Sequence, residues 1–205
     1  MTGIKRYLNI SAGFVAVYAI FGSASDADAH LVTTGMGPVY DGIGHFLMTP
    51  EDLVPVLALA LYAGLRGAVT GRRTLFLLPL AWFVGGVAGS TISGVPSLPV
   101  PIMSFLVVGA LVATDLRMPA VAVSILVVAI GLIHGFFNGA SLRQGAGILG
   151  LLGIMIMLFI LVALASAFVV SLKKFWMRIA VRVAGSWIFA SGLLMIGWLI
   201  REAKS

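Results

Sequence analysis

The sequence predicts an all-α fold: a polytopic membrane bundle of about six transmembrane helices with one short exterior helix, behind a cleavable signal peptide. Of the 205 residues, 60% are hydrophobic and 10% are charged, whereas an average soluble domain has about 45–50% and about 25%. Apolar runs bounded by Pro, Gly or charge recur along the chain, and about 20 such residues cross the hydrocarbon core. No length remains for a soluble catalytic or nucleotide-binding domain.

The first 29 residues have the pattern of a secretory signal peptide. Two basic residues precede a short apolar stretch over 8–21, and an A-x-A cleavage motif ends at Ala29. An uncleaved first anchor is the alternative, but the apolar stretch is short for a membrane span. Cleavage after Ala29 makes His30 the N-terminal residue, whose free amine and imidazole can bind a metal ion together.

Residues 30–205 are expected to form a single membrane domain. It begins with a short helix over about 37–48, which is too short to cross a bilayer. Thr49 then serves as N-cap and Pro50 takes the first helical position of the first span, with acidic residues in its first turn. The predicted spans cover about 50–66, 74–94, 100–115, 118–139, 146–171 and 176–200.

The basic residues predict how the bundle is oriented. Short loops rich in Lys and Arg stay in the cytoplasm. If the first span starts outside, the inside loops hold eight of them, which are Arg66, Arg72, Arg73, Arg117, Lys173, Lys174, Arg178 and Arg182. The outside segments hold three. The mature N-terminus and the C-terminus are therefore expected on the exterior side of the membrane. The net charge of +6 reflects this topology, so no nucleic-acid partner is expected.

The short helix carries the first candidate for chemistry, because ionisable residues in or beside apolar helices are costly and rare. Asp41 and His45 are four residues apart, so their side chains lie on one face of the helix. Such a pair can bind a cation jointly, or the carboxylate can orient the imidazole. The alternative is that Asp41 only holds His45 within a packed interior.

The second candidate lies near the exterior end of the span over 118–139. His134 is followed one turn later by Asn138 on the same helix face. Gly131 and Gly135 form a small-xxx-small strip that lets a neighbouring helix approach closely. The alternative for His134 alone is a hydrogen-bonded histidine of the core.

All three histidines of the chain are thus predicted on the exterior side. Imidazoles with a carboxylate, in a chain without Cys, favour a borderline divalent ion such as nickel, cobalt, zinc or copper(II). The acids at the start of the first span are expected to concentrate cations at the exterior mouth. The predicted metal site consists of His30, Asp41, His45 and His134, supported by Asn138, Glu51 and Asp52.

No enzyme motif emerges, and the chain is predicted not to be an enzyme. It has neither a His-Glu-x-x-His helix nor a Gly-x-x-x-x-Gly-Lys loop. An intramembrane serine hydrolase, with Ser90, Ser93 or Ser104 beside His134, is the third hypothesis, but no nucleophile elbow accompanies these serines.

The stretch from Tyr40 to Gly67, with its Asp-x-x-x-His-x-x-x-x-Pro-Glu-Asp block, resembles the HupE/UreJ family of bacterial membrane proteins. The segment around His134 is a second match, and the resemblance implies that the membrane is a bacterial inner membrane. The hydrogenase and urease branch of that family is associated with nickel supply, which implies metal handling by Asp41, His45 and His134. This chain lacks the His-Pro pair and the adjacent Asp-His of that branch, so the identity of the ion stays open.

The leading prediction is therefore a permease for a divalent transition-metal ion, nickel first. The alternative is a membrane accessory protein that binds the ion without transporting it and delivers it to a hydrogenase, a urease or another metalloenzyme maturation system. The inner half of the predicted bundle favours this alternative, because few ionisable residues beyond His134 continue a path.

Overall fold

The computed structural model describes residues 33–92 and 99–202, which form seven helices and contain no strand. The predicted signal peptide, its cleavage site and His30 lie outside the described residues. The helices are α1 (Pro38–Met48), α2 (Pro50–Leu65), α3 (Ala68–Ser90), α4 (Val100–Thr114), α5 (Ala120–Leu142), α6 (Gly147–Ser171) and α7 (Phe175–Glu202).

Four of these helices, α3, α5, α6 and α7, are long and apolar enough to cross a membrane, with mean hydropathies from 1.3 to 3.0. Helices α1 and α2 pass the same test together as one bent pair, and α4 is a shorter apolar helix. The predicted fold class, a polytopic helical membrane bundle, is confirmed.

A sharp bend of 79° separates α1 from α2. Pro50 has no backbone N–H and restricts the residue before it to non-helical conformations, so α1 cannot continue through this point. Thr49 accordingly has φ −106° and ψ 88°, and its hydroxyl donates to the His45 carbonyl at 2.7 Å. The bend leaves α1 nearly perpendicular to α2.

Helix α1 is held on the first turns of α6 by close backbone contact. A Cβ atom at Gly42 would collide with the carbonyl of Gly150, and one at Gly153 would collide with the carbonyl of Val39. Glycine at these positions removes the side chain that would otherwise separate the two helices. The short helix is therefore a fixed part of the bundle, next to the start of α2.

Helices α3 and α5 approach each other in the same way. A Cβ atom at Gly135 would collide with the carbonyl of Trp82, and one at Gly139 would collide with the carbonyl of Gly86. The predicted small-xxx-small strip on α5 thus faces α3. Because the two backbones are so close, His134 on α5 lies directly against side chains of α3.

Helices α2, α4 and α6 all end at the same end of the bundle. This end carries eight of the ten described Lys and Arg residues, all except Arg143 and Arg201. We call it the basic end. There the Arg66 guanidinium pairs with Asp115 and lies 5.4 Å from the centre of the Tyr62 ring. The Tyr62 hydroxyl donates to the Leu116 carbonyl at 2.7 Å. These contacts tie the end of α2 to the segment that follows α4.

Candidate functional site

A chain of buried hydrogen bonds joins three helices away from the basic end. The Nδ1 atom of His134 lies 2.7 Å from Oδ1 of Asp52, and its Nε2 atom lies 2.8 Å from the Ser104 hydroxyl. The Asn138 amide donates to Oδ2 of Asp52 at 2.7 Å. All four residues are at most 7% exposed. Helices α2, α4 and α5 thus converge on one polar centre in an otherwise apolar bundle.

The carboxylate of Asp52 determines which nitrogen of His134 is available. An ionised carboxylate only accepts hydrogen bonds, so in a neutral imidazole at this position Nδ1 carries the hydrogen and Nε2 carries the lone pair. In this tautomer the Ser104 hydroxyl, 2.8 Å away, is the donor to Nε2. A carboxylate behind an imidazole is also the usual arrangement for metal-ligating histidines, because it fixes the ring and raises its basicity.

The start of α2 explains how Asp52 is accommodated in a buried position. Asp52 is the third residue of this helix, in the first turn, where free backbone N–H groups and the helix dipole favour negative charge. Its two oxygens accept from His134 and Asn138. Both effects offset the cost of removing a carboxylate from water.

Asn138 contributes an oxygen that has no partner. Its amide nitrogen also donates to the His134 carbonyl at 3.1 Å, but within residues 33–92 and 99–202 its Oδ1 atom is buried with no donor. A buried acceptor left unpaired costs about 1–3 kcal/mol. This oxygen is therefore available to a cation or to a water molecule that a cation carries.

Aromatic side chains cover the site. The Trp82 ring of α3 stacks on the His134 imidazole, with 5.5 Å between ring centres and 29° between planes. Phe46 of α1 meets Trp82 edge-on at 5.8 Å. Both aromatic residues are at most 1% exposed. Five helices, α1 to α5, therefore contribute to the surroundings of His134.

A comparison with known protein families covers the residues of this site. The family model described as HupE / UreJ protein matches residues 17–195, most of the chain and all of the site above. The chain belongs to the HupE/UreJ family. This family is associated with nickel and cobalt transport or with accessory functions in metal handling. No curated protein and no solved structure matches the chain significantly.

The other residues that the HupE/UreJ resemblance implicated lie on or near α1. Asp41 is half-buried and accepts hydrogen bonds from the backbone N–H and the hydroxyl of Thr34, at 2.6 and 2.7 Å. His45 is 8% exposed, next to Phe46. Within the described residues, no group of three or more His, Asp or Glu side chains is arranged to hold a metal ion.

The two acids at the start of α2, expected together at the exterior mouth, occupy different environments in this HupE/UreJ protein. Glu51 is exposed, whereas Asp52 is buried against His134. Asp52 was expected only as a supporting acid, and neither its direct pairing with His134 nor the stacking of Trp82 was predicted. Both depend on how α2 and α3 are placed relative to α5, which the spacing within one helix does not encode.

Proposed function

We propose that this HupE/UreJ protein transports a divalent transition-metal ion across the bacterial inner membrane, with nickel the first candidate and cobalt the next. The observation that supports the proposal is the buried His134–Asp52 pair at 2.7 Å. It offers Nε2 of a neutral, oriented imidazole to a cation, and the neutral hydrogen bond from Ser104 is the contact that the cation displaces.

The proposed route begins on the exterior side and ends at His134. The amine and imidazole of His30, with Asp41 and His45, bind the ion and remove part of its water. Phe46, which follows His45 on α1, contacts the Trp82 ring that stacks on His134. The ion then passes to Nε2 of His134, and Oδ1 of Asn138, one turn further along α5, is a second neutral donor in the same polar centre. Imidazole and neutral oxygen ligands suit nickel and cobalt better than magnesium or calcium.

Charge at the site favours a cation over an anion. The Asp52 carboxylate is buried within the site, and Glu51 adds an exposed carboxylate at the same helix start. Eight of the ten described basic residues lie at the other end of the bundle. A metal ion approaching from the exterior therefore meets negative charge first.

A metal-binding accessory protein is the second candidate, and the composition of the core favours it. Between His134 and the basic end, the buried hydroxyl-bearing side chains of the described bundle carry no charge. They are Tyr62, Thr70, Thr74 and Ser166. An ion bound at His134 meets no further strong ligand among them. In this case the protein holds the ion at the exterior face and releases it to a metalloenzyme or its maturation system.

Transport into liposomes separates the two candidates. We expect the purified chain, with its native N-terminus, to admit nickel or cobalt to liposomes that contain a metal-sensitive dye, above the rate of protein-free liposomes. Magnesium, which disfavours imidazole ligands, is the control ion. Binding of about one nickel or cobalt ion per chain without flux identifies the accessory protein instead. If none of nickel, cobalt, zinc and copper binds, both proposals are wrong.

The hydrogen-bond order Ser104–His134–Asp52 favours a third candidate, a serine hydrolase, since a nucleophile, a base and an orienting acid are connected in this order in such enzymes. Ser104 is the fifth residue of α4, within a regular helix. A strained turn that exposes the serine beside oxyanion donors is the usual setting of such a nucleophile. The hydrolase therefore ranks behind metal handling.

Replacing Ser104 with alanine distinguishes these candidates. The substitution removes one neutral hydrogen bond, worth about 1 kcal/mol, and keeps the His134–Asp52 pair. We expect metal binding to change by less than about tenfold, whereas a hydrolase would lose its activity on a chromogenic ester. Ser166→Ala is the matched control, because both serines are 7% exposed. Loss of metal binding as complete as in His134→Ala would contradict the proposed role of Nε2.

A further inference from the structure

An open groove of about 940 Å³ lies between α3 and α5, toward the basic end. Its walls are residues 69–77 of α3 and 121–132 of α5, and most of the side chains that line it are apolar. Phe76 is 56% exposed and Ile125 is 64% exposed. Arg72 and Arg73 also line the groove.

The packing of the two helices explains why the groove lies there. The glycine contacts between α3 and α5 begin where Gly131 faces Leu78 and Ala81, and they continue away from the basic end as far as Gly89. On the groove side of Gly131, α5 carries no glycine back to Ala120. Gly71 of α3 faces Ser166 of α6 instead. In this half, larger side chains therefore keep the two helices further apart, and a groove runs between them along the surface.

The charge at the groove is not neutralised within the described chain. Arg72 and Arg73 are exposed and make no ion pair with the described residues. Asp115, the acidic residue that the structure describes at this end, pairs with Arg66 instead. Two adjacent guanidinium groups thus stand free beside an apolar groove. Guanidinium binds phosphate through two parallel hydrogen bonds, and basic pockets between membrane helices suit anionic headgroups.

We propose that this groove binds an anionic phospholipid of the surrounding bilayer. The headgroup phosphate lies at Arg72 and Arg73, and one acyl chain follows the groove between α3 and α5. The arginines near the start of α3 match the charged headgroup. The apolar side chains further along the groove match the acyl chain, so both follow the same order along the membrane normal. This site is separate from His134 and does not depend on metal transport.

Native mass spectrometry of the full chain, released from detergent, tests the proposal with phosphatidylglycerol and phosphatidylcholine of the same acyl chains. We expect tighter binding of phosphatidylglycerol to the unaltered protein. Replacing both arginines, Arg72→Gln with Arg73→Gln, should weaken phosphatidylglycerol roughly 25-fold, since each near-surface arginine contributes about fivefold. Phosphatidylcholine binding should change little.

Lys173→Gln with Lys174→Gln is the matched control, because it removes the same charge from exposed residues at the same end of the bundle. An equal loss of phosphatidylglycerol in this control would show that only general surface charge is involved and would overturn the site. So would unchanged binding in the arginine variant. Ala129→Trp fills the groove and should weaken both lipids. A dimer that this variant dissociates would instead identify the groove as a contact between two copies.

Discussion

Metal transport is expected to fall to the rate of protein-free liposomes when His134 is replaced by alanine, since this removes the Nε2 ligand at the centre of the site. Asp52→Asn keeps the shape of the side chain but removes the negative charge behind the imidazole. The loss of such an orienting carboxylate typically lowers metal affinity or activity by about 10- to 100-fold. We expect metal binding by Asp52→Asn to weaken within this range, measured by titration calorimetry and by flux.

Glu51→Gln is the matched control for this substitution. It neutralises the adjacent carboxylate, which is exposed. The hydrogen bond to Nδ1 of His134 is made by Asp52. We expect its effect on metal binding to be small. Normal binding by Asp52→Asn in a protein that melts like the unaltered chain would show that the His134–Asp52 pair is structural only. Equal losses in the two variants would assign the effect to surface charge at the mouth.

Replacing Gly135 with leucine is expected to cause the largest loss of stability. Any Cβ atom at this position collides with the backbone carbonyl of Trp82, which a side-chain rotation cannot relieve. Helices α3 and α5 must therefore separate, at a cost of about 3 kcal/mol or more. The displacement also moves Trp82 away from the His134 imidazole, so metal binding should weaken together with the melting temperature in detergent.

Gly197→Leu is the control for the glycine-to-leucine change itself. A Cβ atom at Gly197 of α7 meets nothing within 4 Å, so the leucine has room there. Gly139→Ala provides a milder disruption of the same interface, where a methyl group faces the Gly86 carbonyl. We expect the melting temperature to fall in both interface variants and to stay nearly unchanged in Gly197→Leu. The same melting temperature for Gly135→Leu and Gly197→Leu would rule out the close approach of α3 and α5.

The helices could largely be predicted from the sequence, since apolar runs and helix start signals are local. Helix α2 begins at Pro50, where an N-cap, a proline and two acids predicted a start. Helix α3 begins at Ala68, before the apolar run predicted over about 74–94. The extra turns contain Arg72 and Arg73, which favour a helix but do not belong in hydrocarbon. Hydropathy therefore reports where a helix is apolar, not where it begins.

The sequence by itself determined which side chains are available for chemistry: a few imidazoles, carboxylates and an amide in apolar helices, without Cys. It also predicted Asp41 and His45 on one face of a short helix, because residues four apart share a helix face. Only the tertiary structure decided that His134 meets Asp52, which is 82 residues away in the chain. That pairing depends on the break at Pro50, which starts α2 beside the bundle centre, and on which face of α5 points toward α2 and α4. Periodicity fixes the buried face of each helix, whereas the partner of that face is chosen by packing between helices.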